Sequence, residues 1–252
     1  MESISLELLA LLFGVASIAG CIDALAGGGG LITVPALLAT GISPIQALAT
    51  NKLQGSAGSL IASLYFIQRK VVNLREMRFV ILCTFVGSVL GTVLVQMIDT
   101  SFLSSLIPIL LIAIALYFYF AKNMEGGEQK ITLHAFALSA SFGVGFYDGF
   151  FGPGTGSFFA GAFVALLGYA IPKATAHAKV LNFTSNIASL LFFILGGQVV
   201  WSLGLVMIAG QFLGARIGAR MVLTRGQQII RPLIVIVSVI MSARLIWQNM
   251  GG

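Results

Sequence analysis

Five ionisable side chains stand inside long apolar stretches: Asp23, Lys52, Asp148, His177 and Lys179. A charged group at the centre of a bilayer costs about 2.5–3.5 kcal/mol even by insertion scales, so such residues are functional candidates by default. A carboxylate there can carry a proton, which makes Asp23 and Asp148 candidates for coupling. An imidazole titrates near neutrality and can relay protons, as His177 could. Lys52 follows Ala49-Thr50-Asn51, and Lys179 follows Ala176-His177-Ala178. Two lysines close to helix starts would make a pocket for an anion.

Each aspartate precedes a glycine cluster by four residues. Asp23 leads to Gly27-Gly28-Gly29-Gly30, and Asp148 to Gly152-Pro153-Gly154-Thr155-Gly156. Glycine costs a helix about 1 kcal/mol per residue, and irregular backbone at membrane depth survives only where protein or a polar cavity surrounds it. The chain should therefore break at both places and restart at Leu31 and near Ser157. A restarting helix offers free N–H groups and partial positive charge, both suited to an anion. The candidate binding residues are Gly28, Gly29, Gly30 and Leu31 in one cluster, and Gly154, Thr155, Gly156 and Ser157 in the other. Asn51, Gln54, Asn182 and Asn186 fall on the lysine-bearing helices and could hydrogen-bond the same ligand. Plainer readings stand beside these. The glycines could serve close helix packing, the amides could hold helices together, and the lysines could pair with Asp23 and Asp148 or snorkel to the interface.

The chain that must position these residues has 252 residues, 58% hydrophobic and 9% charged, with a mean hydropathy of +1.02. A soluble domain carries about 25% charged residues, so lipid must cover this one. The net charge of +6 lies in short basic clusters between apolar runs, as the positive-inside rule requires, and does not point to nucleic acid. Glu2 and Glu7 open the chain without a basic residue, so the first apolar run reads as a retained helix rather than a cleaved signal. Cys21 and Cys83 lie in apolar runs and should be free thiols.

Apolar runs cover about Ser5 to Ala26, Leu31 to Thr40, Ile45 to Ile67, Phe79 to Ile98 and Phe102 to Ala121. After a polar linker at 122–130 the order recurs: about Ile131 to Phe151, Ser157 to Leu167, Lys173 to Leu195, Val199 to Leu223 and Ile229 to Gln248. Asp148 stands 125 positions after Asp23, Pro172 stands 128 after Pro44, and Lys179 stands 127 after Lys52. Phe85-Val-Gly-Ser-Val-Leu-Gly91 likewise meets Phe212-Leu-Gly-Ala-Arg-Ile-Gly218 at 127. A near-constant offset is the mark of duplication. The expected fold is an all-α polytopic transmembrane bundle in one membrane domain. It should contain repeat 1 at 1–121 and repeat 2 at 131–252, with short helices that are glycine-broken or re-entrant. The basic loop with Arg69, Lys70, Arg75 and Arg78 should be cytoplasmic. Its uncharged counterpart Gly196-Gly197-Gln198 should lie outside, and the loop flanked by Arg216, Arg220, Arg225 and Arg231 inside. Equivalent loops on opposite faces imply inverted repeats of about five segments each, with both termini outside. Short segments that fail to cross would leave four crossings per half and parallel repeats instead.

Paired broken helices point to a secondary transporter with its site between the repeats. A passive anion channel would use the same positive helix ends. The sequence has no H-E-x-x-H, Walker or clustered Cys/His pattern, so no metal or cofactor is expected. The only enzyme alternative is an intramembrane serine hydrolase using Ser157 and His177, and the repeat accounts for that segment better.

Two stretches resemble the TauE/SafE family, also called the sulfite exporter or toluene-sulfonate uptake permease family. They are Asp23-Ala-Leu-Ala-Gly27-Gly-Gly-Gly-Leu-Ile-Thr-Val-Pro35 with Ala47-Leu-Ala-Thr-Asn51-Lys52, and Gly145-Phe-Tyr-Asp148-Gly-Phe-Phe-Gly-Pro153-Gly-Thr-Gly-Ser157 with Lys173-Ala-Thr-Ala-His177-Ala-Lys179. The likeness runs over nearly the whole chain and is greatest to the YfcA-type bacterial members. It implies a bacterial inner-membrane protein that carries sulfite, sulfoacetate or another organosulfonate, with protons as the coupling ion. The partners it implies are the small anion and the lipid bilayer, with a homodimer left open.

Overall fold

The computed structural model describes residues 5–120 and 126–225. The last expected run, Ile229 to Gln248, with Arg231, lies outside them. Among the described residues all regular structure is helical. Helix α1 (Leu6–Ala26) starts where the Ser5 side chain accepts from the Leu8 N–H, and it stops at Gly27, whose φ of 78° needs a residue without Cβ. After two residues α2 (Gly30–Leu38) begins. Helix α3 (Pro44–Gln68) opens with a capping box between Ser43 and Gln46 and a proline in its first turn. Helices α4 (Leu74–Gln96) and α5 (Thr100–Phe120) complete this part.

The second part follows the same order. Helix α6 (Leu133–Phe136) runs through a π-turn (Ala137–Ser141) straight into α7 (Phe142–Phe150). Then come α8 (Thr155–Leu167), α9 (Ile171–Leu195) and α10 (Trp201–Arg225). Taking α6, the π-turn and α7 as one, the described residues form nine helices. The boundaries fall within a few residues of those expected, except that α4 begins earlier, where Asn73 caps its first turn through the Arg75 N–H.

Helix directions can be read from the contacts. Carbonyls of Phe13, Ser17 and Cys21 abut Gly210, Gly214 and Gly218 in turn, so α1 and α10 run in parallel. Gly87 and Gly91 abut Phe142 and Phe146 in the same way, so α4 and α7 are also parallel. The Val200 N–H donates to Thr50 Oγ1, and Gly58 lies against Gln211, which sets α10 parallel to α3. Ser88 bonds Ser185 and Ser189 while Gln96 reaches Gly196, which sets α4 parallel to α9. Since α4 folds back from α3, α3 and α9 are antiparallel. Helix α2 turns back from α1 and descends beside α3, and α8 does the same between α7 and α9. The short segments are therefore returning arms of two helical hairpins.

Four helices are long and apolar enough to cross a membrane by length and composition: α1, α4, α9 and α10 up to Val222. Thr100–Ile114 of α5 and all of α8 are shorter apolar helices. Helix α3 has the length but not the hydropathy, because Asn51, Lys52, Gln54, Ser56 and Ser59 are on it and all are buried. Bundle, rather than lipid, surrounds it. The outer surface is apolar, with Leu11, Ile18, Leu82, Leu205 and Ile217 more than half exposed, as lipid requires. Cys21 and Cys83 are free thiols.

Candidate functional site

The two helix breaks meet in the middle of the bundle. At Gly27 a Cβ would run into the backbone of Gly156 and Ser157, and at Gly30 one would sit 3.0 Å from the Pro153 Cα. The Ser157 hydroxyl donates to the Ala26 carbonyl across this junction. Helix α8 starts from Gly154 in the left-handed region (φ 85°). The first-turn N–H groups of Gly30 and Gly156 donate to no carbonyl among the described residues. Two positive helix ends thus share one small space.

Both lysines are held by the aspartate of the other half. Lys52 Nζ on α3 lies 2.8 Å from Asp148 Oδ1 on α7, and Lys179 Nζ on α9 lies 3.0 Å from Asp23 Oδ2 on α1. The side chains of the first pair are 1% and 2% exposed; those of the second are 1% and 17%. Lys179 also donates to the Asp23 carbonyl, and Asp23 Oδ1 accepts from the Gly29 N–H at 3.4 Å. Gly152 leaves room for the Lys52 pair, because a Cβ there would lie 2.8 Å from Nζ. Breaking a buried ion pair costs about 3–5 kcal/mol, so each pair ties its hairpin to the opposite half.

An amide chain covers the remaining wall. Thr33 Oγ1 donates to Asn51 Oδ1 at 2.6 Å, and Gln54 Nε2 donates to the same oxygen at 2.6 Å. Opposite, Asn186 Nδ2 donates to Asn182 Oδ1 at 3.0 Å. The space between is lined by Asp23, Gly29, Gly30, Asn51, Gln54, Asp148, Gly156, Asn182 and Asn186 among the expected residues, and its volume is about 20 Å³ for the centre of a water-sized particle. That holds little more than one water, so in this conformation the space is too small for a larger solute.

Other expected residues fall elsewhere. Gly28, Leu31, Gly154, Thr155 and Ser157 belong to the breaks but do not line the space, and neither do Lys52 and Lys179, whose aspartate partners do; Thr155 Oγ1 donates back to the Gly152 carbonyl at 2.6 Å. His177 sits two residues before Lys179, about half a turn away, packed against the rings of Phe163 and Tyr169 at 5.5 and 5.1 Å, with Nδ1 2.8 Å from the Lys173 carbonyl. Lys173 covers the same tyrosine ring, Nζ 3.9 Å from its centroid. No hydrogen bond joins Ser157 to His177.

Four lining residues were not among the expected binding residues: Gly27, Gly55, Gly152 and Gln211. Gln211, 2% exposed, enters from α10 where Gly20 and Gly58 leave space. Its repeat counterpart is Thr84, which bonds Ser141 at 2.6 Å and is not at the cleft. A lone polar residue amid the apolar run of α10 was the one signal available. Among the described residues no group of three or more His, Cys, Asp or Glu could hold a metal ion.

Antiparallel broken helices around a charge-paired polar centre define a multi-pass membrane protein with a small polar space at its core. The sulfite exporter TauE/SafE family matches residues 12–245, and the chain belongs to that family. It is 55% identical over 246 residues to the Escherichia coli K12 protein described as probable membrane transporter protein YfcA, covering 97% of this chain and 91% of that one. It is 52% identical over 248 residues to a probable membrane transporter protein of Haemophilus influenzae, covering 98% and 97%. A Bacillus subtilis protein, probable membrane transporter protein YunE, is 24% identical over 92% of this chain. No solved structure matches the chain.

Proposed function

We propose that this protein is a proton-coupled secondary transporter that moves a small sulfur-containing anion, such as sulfite, sulfoacetate or another organosulfonate, across the bacterial inner membrane by alternating access. The observation that carries the reading is the meeting of two helix starts beside two buried lysine–aspartate pairs. The N–H groups of Gly30 and Gly156, the amides of Asn51, Gln54 and Asn182, and the lysines Lys52 and Lys179 would hold the anion. Asp23 and Asp148 would govern the lysines. The four charges sum to zero. A monoanion entering would leave one unbalanced buried charge, a costly state. One proton taken up on an aspartate restores neutrality and frees a lysine, so one proton should travel with each monoanion.

The two halves, 1–121 and 131–252, then act as inverted repeats, and the antiparallel course of α3 and α9 supports that. The same directions put Arg69 and Lys70 at one face with Arg216 and Arg220, and Gly196-Gly197-Gln198 at the other, in keeping with a cytoplasmic basic face. The test is uptake of radiolabelled sulfite and organosulfonates into proteoliposomes, with and without an imposed pH gradient. Saturable uptake driven by the gradient and indifferent to membrane potential is expected. Flux that only dissipates gradients would make the protein a channel. Absence of flux for every sulfur anion would remove the substrate class.

A further inference from the structure

The two ion pairs are equivalent by repeat but differently satisfied. Lys179 Nζ donates to two acceptors, the Asp23 carboxylate and the Asp23 carbonyl. Asp23 has a donor on each oxygen, Gly29 on Oδ1 and Lys179 on Oδ2. In the other pair, Lys52 Nζ is at ion-pair distance from Asp148 Oδ1 but is aligned with no hydrogen-bond acceptor, and Asp148 Oδ2 has no donor. Both residues are 1% exposed. Gln54 Oε1, two residues on from Lys52, is a third buried atom without a partner, and Gln54 and Asp148 line the same cleft. Buried polar atoms left unsatisfied cost about 1–3 kcal/mol each, and more when charged. Three of them together are a strained centre unless something else fills them during the cycle.

We infer that the pair Lys52–Asp148 is the loading pair, which takes the anion on Lys52 Nζ and the coupling proton on Asp148 Oδ2, while Lys179–Asp23 is a latch that holds the first hairpin break closed. The inference rests on the transport reading above and divides its labour between the halves. The proton adds to the free lone pair of Oδ2 from water and converts the carboxylate to a carboxylic acid. Lys52 stays an ammonium and passes from its aspartate to an anion oxygen. Protonating Asp23 instead would cost a donor already in place on either oxygen. The other titratable groups near Asp148 are few. On α7 itself Tyr147 donates to the Pro153 carbonyl at 2.6 Å. Helix α4 from Phe79 to Gln96 carries only Cys83, α8 carries none, and α9 brings His177, occupied by its aromatic neighbours, and Lys179, held by Asp23 on α1.

Two measurements on the purified full chain in lipid nanodiscs test this. The first is pH-difference infrared spectroscopy, which needs no substrate. Acidification should bring up a carboxylic acid carbonyl band that persists in D23N and disappears in D148N. A band lost in D23N instead, or no band in the wild type, overturns the proton assignment. The second is calorimetric titration with sodium sulfite under anaerobic conditions. The K52Q/D148N double variant leaves no unpaired buried charge, so it should fold, and it should lose about 30-fold or more in sulfite affinity. The K179Q/D23N double variant should lose melting temperature, with a smaller loss of affinity. An equal or larger affinity loss in K179Q/D23N overturns the division of roles. Wild-type protein that binds no sulfite would sink the substrate reading, and the infrared result would still decide where the proton goes.

Discussion

Replacing Gly27 by alanine isolates the contact between the two hairpins, because Gly41 supplies a matched control. Both glycines are left-handed, with φ of 78° and 83°. At Gly41 a new Cβ meets nothing within 4 Å, whereas at Gly27 it meets the backbone of Gly156 and Ser157. Gly41→Ala should therefore cost only the left-handed strain, about 1–2 kcal/mol. Gly27→Ala adds overpacking against backbone that no rotamer change relieves, about 1–3 kcal/mol more. Using soluble domains of similar size as a guide, each kcal/mol lowers the melting temperature by about 2–4 °C. Gly27→Ala should then melt about 2–12 °C below Gly41→Ala in one detergent. Transport should fall with it, since the displaced segment holds Ser157 and adjoins Lys179. Equal melting temperatures would refute the claim that the hairpins close on each other at this point.

His177→Phe should keep gradient-driven sulfite uptake, because the imidazole sits among Phe163 and Tyr169 rather than at the cleft; loss of uptake in well-folded protein would return it to the proton path. Ser157→Ala should weaken the junction by about 1 kcal/mol through the lost bond to Ala26, seen as a modest drop in melting temperature, and a fluorophosphonate probe should not label Ser157. Labelling would revive the hydrolase alternative. Ser88→Ala removes a hydroxyl bonded to both Ser185 and Ser189 and should cost about 1–3 kcal/mol without changing sulfite affinity; an affinity change would place that contact in the transport path.

Much of the fold is visible in the sequence because glycine, proline and charge are local signals. Gly27 to Gly30 and Gly152 to Gly156 announce breaks, and the structure has both. Position along the chain also located Asp23, Lys52, Asp148 and Lys179. Which lysine meets which aspartate was not legible, since each pair spans the two halves and depends on packing. The same holds for the returning arms, α2 and α8. Their length of 9 and 13 residues fits a short crossing as well as a hairpin arm, and only contacts such as Thr33 with Asn51 decide. The π-turn at Ala137–Ser141 leaves no composition signal. Gln211 was missed because its counterpart, Thr84, serves helix packing, so comparing the repeats gave no hint of a cleft role.

The parallel seam between α1 and α10, glycine by glycine from Gly210 to Gly218, has a consequence for biosynthesis. Helix α1 leaves the ribosome first, and its partner α10 begins 175 residues after α1 ends. At about 5–20 residues per second, that interval is about 10–35 s. For most of this time Asp23 lies in the membrane without Lys179, which is made late as well. The nascent first half must therefore wait with an unpaired carboxylate and an open glycine break until the second half arrives to cover both. Separately expressed halves should therefore become stable only when both are present in the same membrane.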